Sequence, residues 1–152
     1  MTLYFNAASH VGHKRAANED SWFARRQDDG ALLLAVADGM GGAPGGDQAS
    51  ALAVAAFAAT ETGDALLPHD LPRLAMAGHK AILDRAASDS GMKGMGTTLT
   101  AALVRKAELS WVHIGDSRLY TFASDSQIHA QQTLTPGRGH IRCKDRDAPV
   151  LL

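Results

Sequence analysis

The chain has 152 residues and a near-even charge balance, 15 Lys and Arg against 16 Asp and Glu, for a net charge of −1; 45% of the residues are apolar but only 5% aromatic. That length supports one domain with a core built from Ala, Leu and Val, and the balanced charge supplies no basic field to draw it to nucleic acid or an anionic membrane. No apolar run approaches the ~20 residues of a membrane span, residues 1–10 lack the basic start and apolar stretch of a signal peptide, and the single Cys143 excludes an internal disulfide, so a cytoplasmic setting is expected.

In chain order, residues 3–5 read as a short opening strand. Residues 12–20 are polar and turn-like and end in Asn18-Glu19-Asp20. A second strand is expected over 21–25, then a hairpin turn at Asp28-Asp29-Gly30. The continuous apolar run ALLLAVA, 31–37, fits a buried strand by its length and flanks, although periodicity alone leaves a helix open. Asp38-Gly39-Met40-Gly41-Gly42 and Ala43-Pro44-Gly45-Gly46 end that run and bring backbone close to something. The Ala-rich segment 48–60, with Leu52, Val54 and Phe57, predicts a helix with Asp47 as its N-cap. After a loop over 63–69, Asp70-Leu71-Pro72 opens a second helix with Pro72 in its first turn. Its apolar stripe through Leu71, Leu74, Gly78, Ala81 and Ile82 is narrow. A Gly- and Met-rich loop, 88–96, leads into strands over 97–104, 109–114 and 119–122. Ser124-Asp125-Ser126 then turns the chain toward a fourth strand near Ile128. The pattern is an antiparallel meander with two helices inserted ahead of it, an α+β architecture rather than alternating βαβ units. Residues 136–152, PGRGHIRCKDRDAPVLL, show neither a helical nor a strand period and read as a frayed, disordered tail.

Asp38 is the strongest chemical feature, a carboxylate at the end of a buried strand, where sheet rims form sites. The glycines beside it let a backbone carbonyl approach a cation, and Mg²⁺ and Mn²⁺ take such oxygen ligands. Glu19, Asp20 and Asp116 offer further carboxylates, each of which alone is an ordinary turn residue. The segment 39–46 lacks the Gly-Lys-Ser/Thr ending of a P-loop, and Pro44 stands where a dinucleotide fingerprint needs its third glycine, so a nucleotide-binding module is disfavoured. The seven histidines show no zinc-type pairing, and His10 and His13, flanking the Arg15 turn, read as solvated.

Five blocks occur in order: Gly12-x-x-Arg15-x-x-Asn18-Glu19-Asp20; Val36-Ala37-Asp38-Gly39-Met40-Gly41-Gly42; Gly46-x-x-Ala49-Ser50; Gly94-Met95-Gly96-Thr97-Thr98; and Gly115-Asp116-Ser117-Arg118-x-Tyr120. Together they resemble the motifs of bacterial protein phosphatases of the PP2C type, which are metal-dependent serine/threonine phosphatases. The resemblance implies an α/β/β/α sandwich of two antiparallel sheets flanked by helices, with two Mn²⁺ or Mg²⁺ ions at its rim. It implies that Asp38 bridges the ions, that the Gly39 carbonyl and Glu19 reach one of them, that Asp20 supports the water shell, and that Asp116 helps hold a third, weaker ion. Arg15 is implied to hold the substrate phosphate, a task that suits its planar fork. The implied reaction is attack by a bridging hydroxide on a phosphoserine or phosphothreonine. Phosphorylated proteins are then the substrates and a serine/threonine kinase the natural counterpart. Met40 stands where some members place a histidine, which leaves the general acid unassigned, with a metal-bound water as the candidate.

The resemblance runs over residues 1–135, about the first half of the family domain. After Leu134-Thr135 the family's Asp-His-Ser-like segment, its Ser-Asp-Gly block and its terminal Asp-Asn pair have no counterpart. The expectation is therefore a truncated member with an incomplete sandwich and impaired activity, of the kind a frameshift produces. The alternative is a non-catalytic relative that binds phosphoproteins or another partner.

Overall fold

A computed structural model describes residues 4–61, 65–122, 128–131, 137–142 and 150–151. The first two strands, β1 (Asp20–Arg26) and β2 (Leu32–Asp38), form an antiparallel hairpin. Gly30 (φ 81°) carries its turn in the left-handed region that glycine tolerates. Inside the turn, Asp29 accepts a 2.9 Å bond from the Ala31 amide. Helix α1 (Gly46–Ala58) follows, then α2 (Asp70–Ser88). After these come β3 (Leu99–Arg105), β4 (Glu108–Ile114), β5 (Leu119–Phe122), β6 (Ile128–Gln131), β7 (Gly137–Arg142) and β8 (Val150–Leu151).

The strands form two antiparallel sheets, ordered β1-β2-β3-β4-β7 and β6-β5-β8. Both helices cover one face of the larger sheet. Leu33, Ala35, Ala37, Ala101, Leu103 and Val112 meet Val54, Phe57, Leu71 and Leu74 there. The helices pack closely because Gly78 of α2 sits on Ala53 of α1, where an added Cβ would lie 3.1 Å from the Ala53 Cα and carbonyl oxygen. On the other face of the larger sheet, Ala102, Leu109 and Trp111 pack with Leu119 of β5. The small aliphatic residues of the composition are thus what fill the helix–sheet layer. The continuous apolar run of β2 follows from burial on both faces.

Several local expectations change. Tyr4 and Phe5 are exposed and lie in no strand, and Leu3 lies outside the described residues. Asp47 does not cap α1; Gly45 (φ 71°) occupies the cap with no side-chain bond, and Asp47 lies in the first turn, where its charge complements the helix dipole. The meander is broken between β4 and β5. Gly115, at φ 104°, turns the chain off the first sheet, so β5 pairs with β6 and β8 instead. The free edge of β4 is taken by β7 over six residue pairs, from Glu108↔Arg142 to His113↔Gly137. Residues 137–142 therefore form a strand where their side-chain pattern shows none, because an open edge offers backbone partners to any sequence. The turn expected at 124–126, and Cys143, lie outside the described residues.

Candidate active site

The hairpin register places Asp20 directly across from Asp38 at the open end of β1 and β2. Asp38 sits at the rim because β2 ends there. Its carbonyl accepts the Thr98 amide (2.9 Å), and the next residue, Gly39, donates its amide to the Glu19 carbonyl (3.0 Å). Gly39 has no room for a side chain. A Cβ there would fall against the Gly46 carbonyl and lie 2.8 Å from the Glu19 carbonyl oxygen. The Glu19 carboxylate lies at the start of α1, where a Cβ on Gly46 would be 3.1 Å from both its Cδ and Oε1. A helix start favours negative charge.

Arg15 reaches this cluster from the preceding loop. Its Nη1 stands 3.9 Å from Glu19 Oε2 and 3.8 Å from Asp38 Oδ1, with the Arg15 and Asp38 side chains each 51% exposed. Exposed pairs at such distances contribute about 0–1 kcal/mol, so the fork stays free to take another anion. Asp116, at the turn after β4, lines the same cleft as Asp20 and Asp38. That cleft, of about 510 Å³, continues past Ser9, Trp22, Val36, Ser117 and Tyr120. All six residues singled out in the sequence, Arg15, Glu19, Asp20, Asp38, Gly39 and Asp116, thus meet at one rim. His10 and His13 are exposed beside it, their rings 6.3 Å apart.

The electrostatics are one-sided. Partial loss of water pushes the Asp38 carboxyl above its ordinary range. The Asp20 carboxylate, through charge and a hydrogen bond, pushes it further the same way; Arg15 opposes this and Asp116 adds to it. Such crowding of carboxylates is what a cation relieves. The donors are all hard oxygens, as Mg²⁺ and Mn²⁺ require, and these ions keep several waters. Among the described residues no three His, Cys, Asp or Glu side chains group closely enough to enclose a metal on their own. Oxygen donors with uncompensated charge fit a divalent ion that keeps much of its water. Among the described residues, no helix is long and apolar enough to cross a membrane.

Three contributors escaped the sequence reading of single residues. Ser9 donates to Asp20 Oδ2 (3.2 Å) and accepts from the Asn18 amide group (2.7 Å), and nothing in its surroundings marked it. Thr98 and Ser117 stand inside two of the ordered blocks, yet their roles are set by contacts across strands.

A sheet rim that gathers hard oxygen donors beside one guanidinium has the chemistry that suits a divalent cation with its water shell. The protein phosphatase 2C family model matches residues 8–141. The chain belongs to that family. It is 46% identical over 123 residues to the serine/threonine protein phosphatase PstP of Mycobacterium tuberculosis, covering 79% of this chain and 23% of that protein. It is 35% identical over 120 residues to the serine/threonine phosphatase stp of Listeria innocua, covering 75% of this chain and 48% of that protein. The crystal structure of the catalytic domain of PstP in complex with two manganese ions superposes with a TM-score of 0.71 at 32% identity, over 88% of this chain and 69% of that one. The chain therefore spans from about a quarter to half the length of these curated relatives.

Proposed function

We propose that this chain carries the amino-terminal half of a phosphoserine/phosphothreonine phosphatase site, with Asp38 as its central metal ligand. The convergence of Asp38 with Asp20, Glu19, Asp116 and Arg15 on one rim carries this reading. Bound Mn²⁺ or Mg²⁺ ions supply an activated water and neutralise phosphate charge. The chain's own residues divide the remaining work. Asp38, opposite Asp20 and within reach of Arg15, would hold the cations. Glu19, at the start of α1, and the Gly39 carbonyl, next in the chain to Asp38, would add oxygen donors, as would Asp116 across the cleft. Without cations, four carboxylates would repel a phosphate dianion. With them, Arg15 is left as the planar donor that orients the phosphate oxygens. Met40 has no proton to give, so no side chain on this rim is assigned as general acid. The two-manganese PstP structure supports manganese as a natural occupant. A cytoplasmic phosphoprotein, opposed by a serine/threonine kinase, is the proposed substrate class.

The test is Mn²⁺ binding by calorimetry together with hydrolysis of p-nitrophenyl phosphate, for the wild type, Asp38→Ala and Arg15→Ala. Binding lost in Asp38→Ala, with hydrolysis that needs Mn²⁺ and falls in both variants, supports the reading. Hydrolysis that survives EDTA or Asp38→Ala overturns it. A second reading is a relative that binds phosphoproteins without turnover, which the half-exposed Arg15 and Asp38 side chains would also serve. Metal-dependent binding of a phosphothreonine peptide without release of phosphate would establish it.

A further inference from the structure

The ladder between β2 and β3 changes at its last rung. Through Val36↔Thr100 the two strands pair by backbone alone. At Asp38 the amide instead donates to the Thr98 side chain, Oγ1, at 3.0 Å, while the Thr98 carbonyl accepts the Thr97 hydroxyl at 3.0 Å. The same Thr98 Oγ1 is 2.8 Å from Ser117 Oγ. The Thr98 methyl carries Gly115, where an added Cβ would lie 2.8 Å from Thr98 Cγ2. Gly115 is held from a second side. Its carbonyl is 3.1 Å from His113 Nε2, and His113 Nδ1 is 2.8 Å from Thr100 Oγ1. A carbonyl only accepts, so Nε2 carries the hydrogen and, in the neutral ring, Nδ1 accepts from the Thr100 hydroxyl. His113 and Thr100 are fully buried, which fixes this relay.

We propose that Thr98 is the positioning residue of the site. It ties the backbone of Asp38 to the Gly115-Asp116-Ser117 turn, so that a side chain of the first sheet sets where Asp116 stands relative to Asp38. The proposal rests on the reading of Asp38 and Asp116 as metal ligands. Its geometric half can be measured without metal. The ligands lie on β2 and on a turn that leaves the sheet at Gly115; the backbone ladder ties Asp38 to the Thr98 amide and ends at Leu99↔Ile114 before the turn, and the Thr98 hydroxyl adds a direct link from the Asp38 amide to Ser117. Outer partners of metal ligands commonly alter affinity by about 10- to 100-fold.

The experiment compares Thr98→Val, Thr98→Ser and Ser117→Ala in the 152-residue chain. Thr98→Val keeps the methyl against Gly115 but removes both hydrogen bonds. Thr98→Ser keeps the hydroxyl, and Ser117→Ala cuts only the link to the turn. In metal-free protein, amide NMR is expected to show faster exchange at Asp38 in Thr98→Val alone. Displaced Gly115–Arg118 resonances are expected in Thr98→Val and Ser117→Ala, with Thr98→Ser close to wild type. Mn²⁺ affinity is expected to fall about 10-fold or more in Thr98→Val and Ser117→Ala and to recover in Thr98→Ser. Unmoved turn resonances in Ser117→Ala overturn the proposal, as does equal loss in Thr98→Ser and Thr98→Val. If Thr98→Val does not fold, Ser117→Ala decides the matter. If wild type shows no Mn²⁺ binding, the metal reading fails, while the metal-free resonances still judge the tether.

Discussion

Replacing Gly39 by alanine should be among the most costly single changes near the site. The new Cβ would fall against the Gly46 carbonyl oxygen and lie 2.5 Å from its carbon and 2.8 Å from the Glu19 carbonyl oxygen. Unstrained contacts of this kind need about 3.5 Å, so neighbours must retreat by roughly 1 Å. Those neighbours are backbone on two different elements, the start of α1 and the residue before β1, and no rotamer change relieves them. The Gly39 amide bond to Glu19, 3.0 Å long, would be lost in any such retreat. Overpacking typically costs about 1–3 kcal/mol, and the added broken bond about 1 kcal/mol. A loss of about 3 kcal/mol is therefore expected, which lowers the urea midpoint by about 1–2 M for a slope of roughly 2 kcal/mol/M. Gly46→Ala is the control. Its Cβ meets the Glu19 carboxylate at 3.1 Å, a side chain that can swing away, and the Met40 carbonyl oxygen at 3.2 Å, which has to give by only a few tenths of an ångström, so stability should fall less than in Gly39→Ala while Mn²⁺ affinity falls. If Gly39→Ala unfolds within about 0.5 kcal/mol of the wild type, Gly39 does not pack this closely on Gly46 and Glu19.

The pH dependence of the metal-free protein has a definite sign. The Asp38 carboxyl is raised above 3.8 by partial burial and then by Asp20, so folding favours its proton, and its contribution to stability is lost as pH rises from about 3.8 through the folded value. Asp38→Asn should therefore be more stable than wild type at pH 7 and close to it at pH 3.5, by urea titration at both values. Asp70, lowered by the Leu67 amide and then by Arg73, acts the other way; its contribution is present above 3.8 and lost as pH falls through the lowered value. Asp70→Asn should thus destabilise at pH 7 and lose its effect in acid. Deleting residues 136–152 should strip β7 from β4 and expose six residues of strand edge, giving earlier unfolding and aggregation in light scattering. A deletion that behaves as wild type would show that this strand contributes nothing.

What the sequence made legible and what it hid divide along physical lines. The Asp38 rim was readable because an apolar run ending in Asp-Gly has few structural outcomes, and Gly39, Gly45 and Gly46 each stand where a side chain would collide. The helices were readable from their Ala-rich and amphipathic patterns, to within about two residues at their amino-terminal ends. The N-cap at Gly45 was missed because a left-handed glycine caps without a side chain to announce it. Sheet membership after Ile114 was missed because hairpin logic joins neighbouring strands, whereas one glycine dihedral sends β5 elsewhere. Strand β7 was missed because edge pairing uses only backbone, which leaves no mark in side-chain pattern. Thr98, Ser117 and Ser9 lie in the same class, since their partners are 60, 19 and 11 residues away in the chain.

The β1–β2 hairpin closes through seven residue pairs, from Arg26↔Leu32 beside the turn to Asp20↔Asp38 at the far end. At about 3.4 Å per residue that end lies roughly 20 Å from the turn. Strand pairing moves in whole residues, and a slip of one sends each side chain to the opposite face. The length of the segment 27–31 therefore decides whether two acidic groups oppose each other at the distant rim. Insertions in that exposed turn, which would look harmless by their remoteness, act on the site as a gear tooth acts on the far end of a rack.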